Sequence, residues 1–169
     1  LKNNSYISIA SITTVSFDIF IFETLISLQR GLKVVIANEN EQTIPRLLNS
    51  LIERHNITAI QMTPSRMQLL INNLNDIPAL SNLNFITLAG EQLPFSLVQS
   101  IKKISSNCTI YNGYGPSETT VFSTLTDVTN QSLITIGKPL DNTQIYILDN
   151  DMHISPIGIA GEIYILSLI

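Results

Sequence analysis

The sequence predicts an α/β fold, a largely parallel sheet with flanking helices, followed by a β-rich C-terminal portion. Up to about residue 115, short apolar runs alternate with segments of helical spacing. This alternation is typical of strand–helix–strand units, whose buried parallel strands read as apolar runs. Beyond about residue 120, strand-like runs follow one another with turns and no helix between them.

The elements of the first portion follow from apolar periodicity and local stop signals. Strands are predicted at 7–11, 32–38, 57–62, 83–90 and 108–115, and helices at 21–31, 42–56, 64–74 and 94–105. Gly31 suits the end of the first helix. Thr43 is the predicted N-cap of the second, with Pro45 in its first turn. Thr63 or Ser65 is the predicted cap of the third.

The later strands are predicted at 121–128, 142–151 and 161–166, with a hairpin turn region over 148–162. We therefore expect an α/β portion at 1–125 and the start of a β-rich portion at 126–169.

Composition narrows the class of protein. The chain has 169 residues, of which 44% are hydrophobic and 13% charged, and this favours a globular domain over a disordered one. Nine basic and 13 acidic residues give a net charge of −4, with no basic cluster beyond Lys102 and Lys103, so a nucleic-acid partner is not expected. Cys108 is the single cysteine, which fits a reduced, cytoplasmic setting.

The segment from Tyr6 to Leu28 is apolar enough to suggest a membrane span. Asp18 and Glu23 lie inside it, and β-branched residues crowd its first half. No basic region precedes it, as a signal peptide would require. We expect a buried strand that runs into a helix, and no membrane partner.

The stretch "NGYGPSET" combines turn residues with a hydroxyl and a carboxylate. Gly113 and Gly115 allow the backbone to approach a ligand closely. Ser117 offers a hydroxyl to a phosphate oxygen, and Glu118 is an oxygen ligand suited to Mg²⁺. Tyr114 is placed to stack on a base. These residues predict a nucleotide phosphate–Mg²⁺ site; the alternative is an ordinary glycine turn with a capping Ser-Glu pair.

A set of motifs in order resembles the adenylate-forming enzymes. "NGYGPSETT" is similar to the family's Asn-x-Tyr-Gly-Pro-Thr-Glu motif, and "SFDIFIFETL" resembles its Phe-Asp-x-Ser motif. "ITAIQMTPSRM", "FITLAGEQLP", "TIGKPLDNTQIYILD" and "GIAGEIYI" are similar to further family segments. The family comprises the amino-acid adenylation domains of nonribosomal peptide synthetases, acyl-CoA synthetases and luciferases. The chain resembles a central fragment of an amino-acid adenylation domain, within the large N-terminal subdomain.

Three positions depart from the family pattern. Ser117 stands where Thr is usual and keeps the hydroxyl, whereas Phe20 stands where the Phe-Asp-x-Ser motif has Ser. The end, "ILSLI", lacks the usual glycines, which suggests truncation or a frameshift there.

The resemblance implies a reaction in which a substrate carboxylate attacks the α-phosphate of ATP, pyrophosphate leaves and an acyl-adenylate remains. Carried over by motif, Glu118 would hold Mg²⁺ and Ser117 would contact the α-phosphate. Tyr114 would stack on adenine, with Asn112 and Gly113 beside it.

Asp18 distinguishes the branches of the family. In amino-acid-activating members, the acid of the Phe-Asp motif pairs with the substrate's α-ammonium. A buried carboxylate is costly unless it is paired, and fatty or aryl acids have no ammonium to offer. Aspartate at this position therefore favours an amino-acid substrate. The alternative is that Asp18 caps the helix starting near Ile19.

The resemblance also implies a substrate pocket that is apolar except for Asp18 and two neutral polar side chains. Its positions are Asp18, Ile19, Phe22, Gln61, Thr87, Ala89, Gly113, Val121 and Phe122. We expect a neutral and small amino acid.

Several parts that the family needs have no counterpart in the sequence: the upstream phosphate loop, the ribose-binding aspartate, and the small C-terminal domain with the catalytic lysine. A phosphopantetheine carrier domain, which takes the product, and a condensation domain are expected as partners. No catalytic residue is assigned in the chain, and we expect it to be inactive alone. An acyl-CoA synthetase or luciferase-like enzyme, and a non-catalytic gene remnant, are the alternative interpretations.

Overall fold

A six-stranded sheet organises the computed structural model, which describes residues 7–73 and 78–167. The strand order is β2-β1-β3-β4-β5-β6, with the first five strands parallel and β6 antiparallel to β5. The strands are β1 (Ser8–Ser11), β2 (Lys33–Ile36), β3 (Ala59–Met62), β4 (Phe85–Ala89), β5 (Thr109–Tyr114) and β6 (Thr124–Asp127). The predicted parallel α/β fold is confirmed.

The main core fills one face of this sheet. Alternate strand residues such as Ile60, Ile86 and Ile110 are buried against the helices on that face, as the period of two in a strand requires. Cys108 belongs to this core. The helices that contribute to it are α4 (Pro45–His55), α5 (Pro64–Asn73), α6 (Pro78–Ser81) and α7 (Phe95–Ile104).

Within residues 7–73 and 78–167, the helical segment after β1 lies on the opposite face of the sheet. It consists of α1 (Ile19–Ile21), one π-helical turn (Phe22–Ile26) and α2 (Ser27–Gln29), and we call it the motif helix. It begins two residues before the helix predicted at 21–31. It ends at Gln29, and the positive φ of Gly31 (73°) stops the helix there, as predicted. The apolar segment predicted to join a strand to a helix does so, and no helix among the described residues is long and apolar enough to cross a membrane.

One predicted helix cap is wrong. Thr43 does not cap α4; it ends a separate short helix, α3 (Glu39–Thr43), whose N-cap is Asn38. Asn38 and Glu41 form a capping box, a stronger start signal than Thr43. Pro45 does open α4 as predicted.

The other predicted cap is confirmed. The Thr63 hydroxyl oxygen accepts a hydrogen bond from the Arg66 amide at 3.3 Å at the start of α5. The predicted last residue of that helix, Leu74, lies outside the described residues, as does Tyr6.

The C-terminal portion is the predicted hairpin. Strands β7 (Thr143–Leu148) and β8 (Glu162–Ser167) pair antiparallel as a second sheet. The six-stranded sheet extends through Asp127, so the division expected at 125/126 falls inside β6.

Candidate active site

The predicted substrate positions on the strands share one face of the sheet. Gln61 pairs with Thr87 in the β3–β4 register, and Ala89 pairs with Gly113 in the β4–β5 register. Because side chains alternate along a strand, these residues point away from the main core and toward the side of the motif helix. They also lie toward the carboxyl ends of parallel strands, the usual ligand-binding edge of such sheets.

Aromatic side chains connect this strand face to the motif helix. The Phe22 and Phe122 rings meet edge to face, with centroids 5.3 Å apart at an interplanar angle of 75°. A Cβ atom on Gly113 would lie 2.8 Å from Phe122 Cε1 and 3.3 Å from the Ala89 Cβ, so the Phe122 ring packs directly on the Gly113 backbone. The predicted positions on the helix, the strands and the following loop thus come together.

Asp18 binds the loop that follows the "NGYGPSETT" segment (residues 112–120, the signature) rather than its own helix. Its Oδ2 accepts a hydrogen bond from the Val121 amide at 2.9 Å, across 103 residues of sequence. Its backbone is helical (φ −60°, ψ −29°), and its side chain makes no capping hydrogen bond. The alternative role of Asp18 as a helix N-cap is therefore wrong. Among the described residues, Oδ1 receives no hydrogen bond.

The backbone that meets Asp18 is strained. Thr120 and Val121 have φ angles of 58° and 65°, a region that β-branched residues rarely adopt. Such residues cost on the order of 1–3 kcal/mol each and cluster at functional sites. Gly115 lies against this turn: a Cβ there would be 2.6 Å from the Val121 carbonyl oxygen and 2.8 Å from Phe122 Cα.

The signature residues form a one-turn 3₁₀ helix after β5. Pro116 is extended, with ψ of 156°, and the turn covers Ser117–Thr119. The Thr119 hydroxyl holds the turn by bonding the Pro116 carbonyl at 3.0 Å and the Ser123 hydroxyl at 2.6 Å. Ser117 and Glu118 are exposed and make no side-chain hydrogen bond within the described residues. Their oxygens are available to a ligand.

Two cavities are each lined in part by predicted site residues. One of about 450 Å³ is lined by the predicted nucleotide positions Asn112, Gly113, Tyr114 and Gly115, together with residues 90–93 and 134–136. The Asn112 amide does not point freely into it, because Nδ2 donates to the Thr135 carbonyl at 2.8 Å.

The second cavity, of about 330 Å³, lies between the motif helix and the sheet. Its predominantly apolar lining includes two predicted substrate positions, Phe22 and Thr87. Both volumes are within the range of small-molecule sites.

Comparison with known proteins assigns the family. Residues 4–167 match the model of the AMP-binding enzyme family. The chain belongs to the AMP-binding enzyme family. It is 35% identical over 157 residues to a dimodular nonribosomal peptide synthase of Bacillus subtilis (strain 168), covering 92% of this chain and 6% of that protein. It is 37% identical over 155 residues to a linear gramicidin synthase of Brevibacillus parabrevis, covering 90% of this chain and 3% of that protein. The predicted resemblance to adenylation domains of nonribosomal peptide synthetases is confirmed.

The fold of the chain agrees with that of a solved peptide synthetase. The AMPPNP-bound form of the nonribosomal peptide synthetase FmoA3 superposes with a TM-score of 0.88 at 21% identity, covering 96% of this chain and 18% of that one. A further FmoA3 structure is bound to alpha-methyl-L-serine-AMP. The chain spans only a small fraction of the length of these relatives.

Sequence reasoning missed a role for Glu23. Its side chain is fully buried and accepts hydrogen bonds from the Ile12 and Thr13 amides and the Thr13 hydroxyl. Burial raises the pKa of Glu23, and the hydrogen bonds from Thr13 and Ile12 oppose that rise. The sequence feature that could have indicated this role is an acidic residue inside an apolar segment, which we used only as an argument against a membrane span.

Glu91 was also missed as a contact residue. Its carboxylate accepts from the Ser65 amide at 2.9 Å and the Ser65 hydroxyl at 2.7 Å, and these bonds lower the pKa of Glu91. Glu91 lines the larger cavity and thereby joins it to the start of α5.

Proposed function

We propose that the chain is part of an adenylation domain that forms aminoacyl-AMP from ATP and an amino acid, for transfer to a phosphopantetheine carrier in nonribosomal peptide synthesis. Membership of the AMP-binding family and similarity to peptide synthetases support this proposal. The observation that carries it is the Asp18 carboxylate, held beside the predicted pocket by the Val121 amide.

Asp18 is arranged to bind a cation. One of its oxygens is fixed by Val121, and the half-buried carboxylate keeps its second oxygen for another donor. The α-ammonium of an amino acid provides such a donor and a compensating charge. A fatty or aryl acid provides neither, so the carboxylate would remain uncompensated beside the apolar pocket. This favours the amino-acid-activating branch over the acyl-CoA synthetase and luciferase-like branches.

The signature turn suits the phosphates of ATP. Gly113 and Gly115 let the Phe122 ring and the backbone of residues 121–123 pack closely against this turn, and Tyr114 lines the larger cavity, where an adenine ring would stack. Ser117 would donate its hydroxyl to the α-phosphate, and Glu118 would be the Mg²⁺ ligand. When bound, Mg²⁺ neutralises phosphate charge and favours the departure of pyrophosphate.

The pocket chemistry favours a neutral substrate. Gln61 and Thr87 are buried polar residues on the strand face, and no charged residue besides Asp18 is among the proposed pocket positions. Phe22 and Phe122 occupy space between the helix and Gly113, which favours a small side chain.

The chain by itself is proposed to be inactive, because it contains no counterpart of the family's phosphate loop or catalytic lysine. Carrier and condensation domains of a larger synthetase are the proposed partners, in the cytoplasm. Amino-acid-dependent ATP–pyrophosphate exchange by the purified chain would show this part of the proposal to be wrong.

Substrate recognition is tested by comparing ligands that differ only in the amine. The ¹⁵N-labelled chain is titrated with glycine or alanine and, separately, with acetate or propionate. The Val121 amide resonance is expected to respond to the amino acids and not to the matched acids, and Asp18→Asn is expected to remove the response. An equal response to both ligand types would contradict the proposal.

A further inference from the structure

Glu23 ties the motif helix to the end of β1. Its Oε2 accepts hydrogen bonds from the Ile12 amide at 2.9 Å and the Thr13 amide at 3.0 Å. Its Oε1 accepts from the Thr13 hydroxyl at 2.8 Å. These are the first two residues after the strand, which ends at Ser11. A fully buried carboxylate therefore determines where the chain leaves the sheet.

Arg66 holds the same peptide from the other side. One guanidinium nitrogen donates to the Ile12 carbonyl at 3.3 Å, and the other donates to the Gln42 carbonyl. Burial lowers the pKa of Arg66, and the charge of Glu23 opposes that shift. Both side chains therefore bind the backbone just after β1, Glu23 through the amides and Arg66 through the Ile12 carbonyl. We call the set of Glu23, Ile12, Thr13 and Arg66 the Ile12 clamp.

The Ile12 clamp and the Asp18–Val121 bond anchor the two ends of one short segment. Between them, the Phe17 amide donates to the Thr14 carbonyl at 3.1 Å, which gives the segment a turn of its own. The Ile21 amide then donates to the Asp18 carbonyl at 2.9 Å and continues the chain into the motif helix. The position of the Asp18 side chain therefore depends on the anchor that precedes it.

We infer that Glu23 and Arg66 are positioning residues, which fix the segment between β1 and the motif helix so that the Asp18 carboxylate faces the predicted substrate pocket. Neither residue is among the proposed substrate positions. The consequence for substrate binding rests on the proposed function, whereas the effect on Asp18 does not. A carboxylate that must meet an ammonium gains from being held in place before the substrate arrives.

The test measures amide hydrogen exchange by NMR in the chain itself. Glu23→Ala is expected to accelerate exchange at Val121 by roughly tenfold or more, the size expected when a charge-assisted hydrogen bond is lost. The core amide of Leu88 is expected to keep its rate. Glu23→Gln keeps an oxygen for the two amide donors and is expected to restore most of the Val121 protection. Glu53→Ala, an exposed acid on α4, is the matched control.

Unchanged protection of the Val121 amide in Glu23→Ala would overturn the inference. Equal acceleration of amide exchange at Val121 and Leu88 would also overturn it, because it would indicate general destabilisation. If Glu23→Ala does not fold, Thr13→Val removes only the hydroxyl bond to Glu23 and is measured in the same way, with the same two outcomes. If the Val121 amide of the wild-type chain does not respond to added amino acids, the proposed function is contradicted. The effect of Glu23→Ala on Val121 exchange would still support the positioning role.

Discussion

At Gly115, the backbone of the following loop passes too close for any side chain. The Val121 carbonyl oxygen, Phe122 Cα and the Ser123 amide nitrogen would all lie within 2.9 Å of a Cβ atom. Because these are backbone atoms, they cannot move aside without breaking the turn that presents Val121 to Asp18. The glycine is therefore required for close packing of the site.

Gly115→Ala is predicted to lower the free energy of unfolding by about 3 kcal/mol, the upper end of the usual cost of overpacking. Chemical denaturation of the chain measures this. Gly31→Ala is the control: it has open space around it and a φ of +73°, so it costs only the left-handed strain of about 1 kcal/mol. Equal losses in the two variants would contradict the steric explanation.

The motifs predicted which residues belong to the site, but not which residues form hydrogen bonds with them. Asp18 was predicted to lie at the pocket, and the structure places it beside Val121. The hydrogen bond itself depends on a strained turn at residues 120–121, where no glycine or asparagine signals a positive φ. Local sequence cannot report a conformation that tertiary contacts impose.

At the scale of elements, the contact between Glu91 and the start of α5 links two helix–strand units. Since the pKa of Glu91 is lowered in the folded chain, the Glu91 carboxylate contributes fully to the free energy of unfolding at pH values above its unfolded pKa near 4.5. That contribution is lost as the pH falls through the lower folded value, because the carboxylate then binds a proton.

Glu91→Gln is predicted to reduce the free energy of unfolding at about pH 6 by no more than about 1 kcal/mol, because the carboxylate is exposed. The difference from wild type should be smaller at about pH 3.5, because the Glu91 carboxylate is increasingly protonated as the pH falls through its lowered pKa. Urea denaturation at the two pH values measures this, with Glu53→Gln as the control. A difference independent of pH would contradict the role of the charge.

The elements themselves were largely predictable, because apolar periodicity and stop signals such as Gly31 and Pro45 are local. The π-helical turn was not. It is accompanied by hydrogen bonds from the Thr24 and Ser27 hydroxyls to the carbonyls of Phe20 and Phe22, and by burial of Glu23. Widened turns of this kind are frequent at functional sites, yet their sequences still read as ordinary helix.

At the scale of the whole molecule, Cys108 reports on the integrity of the core. Its side chain is 1% exposed, and burial raises the pKa of its thiol to about 12. Reaction with a thiol reagent needs both access and the thiolate, so the native chain must open first.

Thiol labelling at about pH 8 is therefore predicted to be slower in the native chain than in the urea-unfolded chain by roughly a hundredfold or more. The labelling rate should rise with urea in parallel with global unfolding, measured on the same samples by circular dichroism. Rapid labelling of the native chain would show that the core between the sheet and α7 is not closed.

The largely parallel sheet follows from the alternation of strands and helices, so the sequence pattern was sufficient to predict it in outline. The strand order was not predicted, and the pocket positions came from the family resemblance. The depth of the two cavities was not predictable, because it depends on how the motif helix and residues 134–136 pack against the sheet.

The central claim is that Asp18 selects an amino acid for adenylation. It is tested most directly by ATP–pyrophosphate exchange in a full-length adenylation domain that carries these residues, with neutral amino acids and the matched acids that lack the amine as substrates. We predict exchange that depends on a small neutral amino acid and falls at least about a hundredfold in Asp18→Asn, the loss expected when a buried charge pair is broken. Exchange driven equally by the acids without an amine, and unaffected by Asp18→Asn, would contradict the claim.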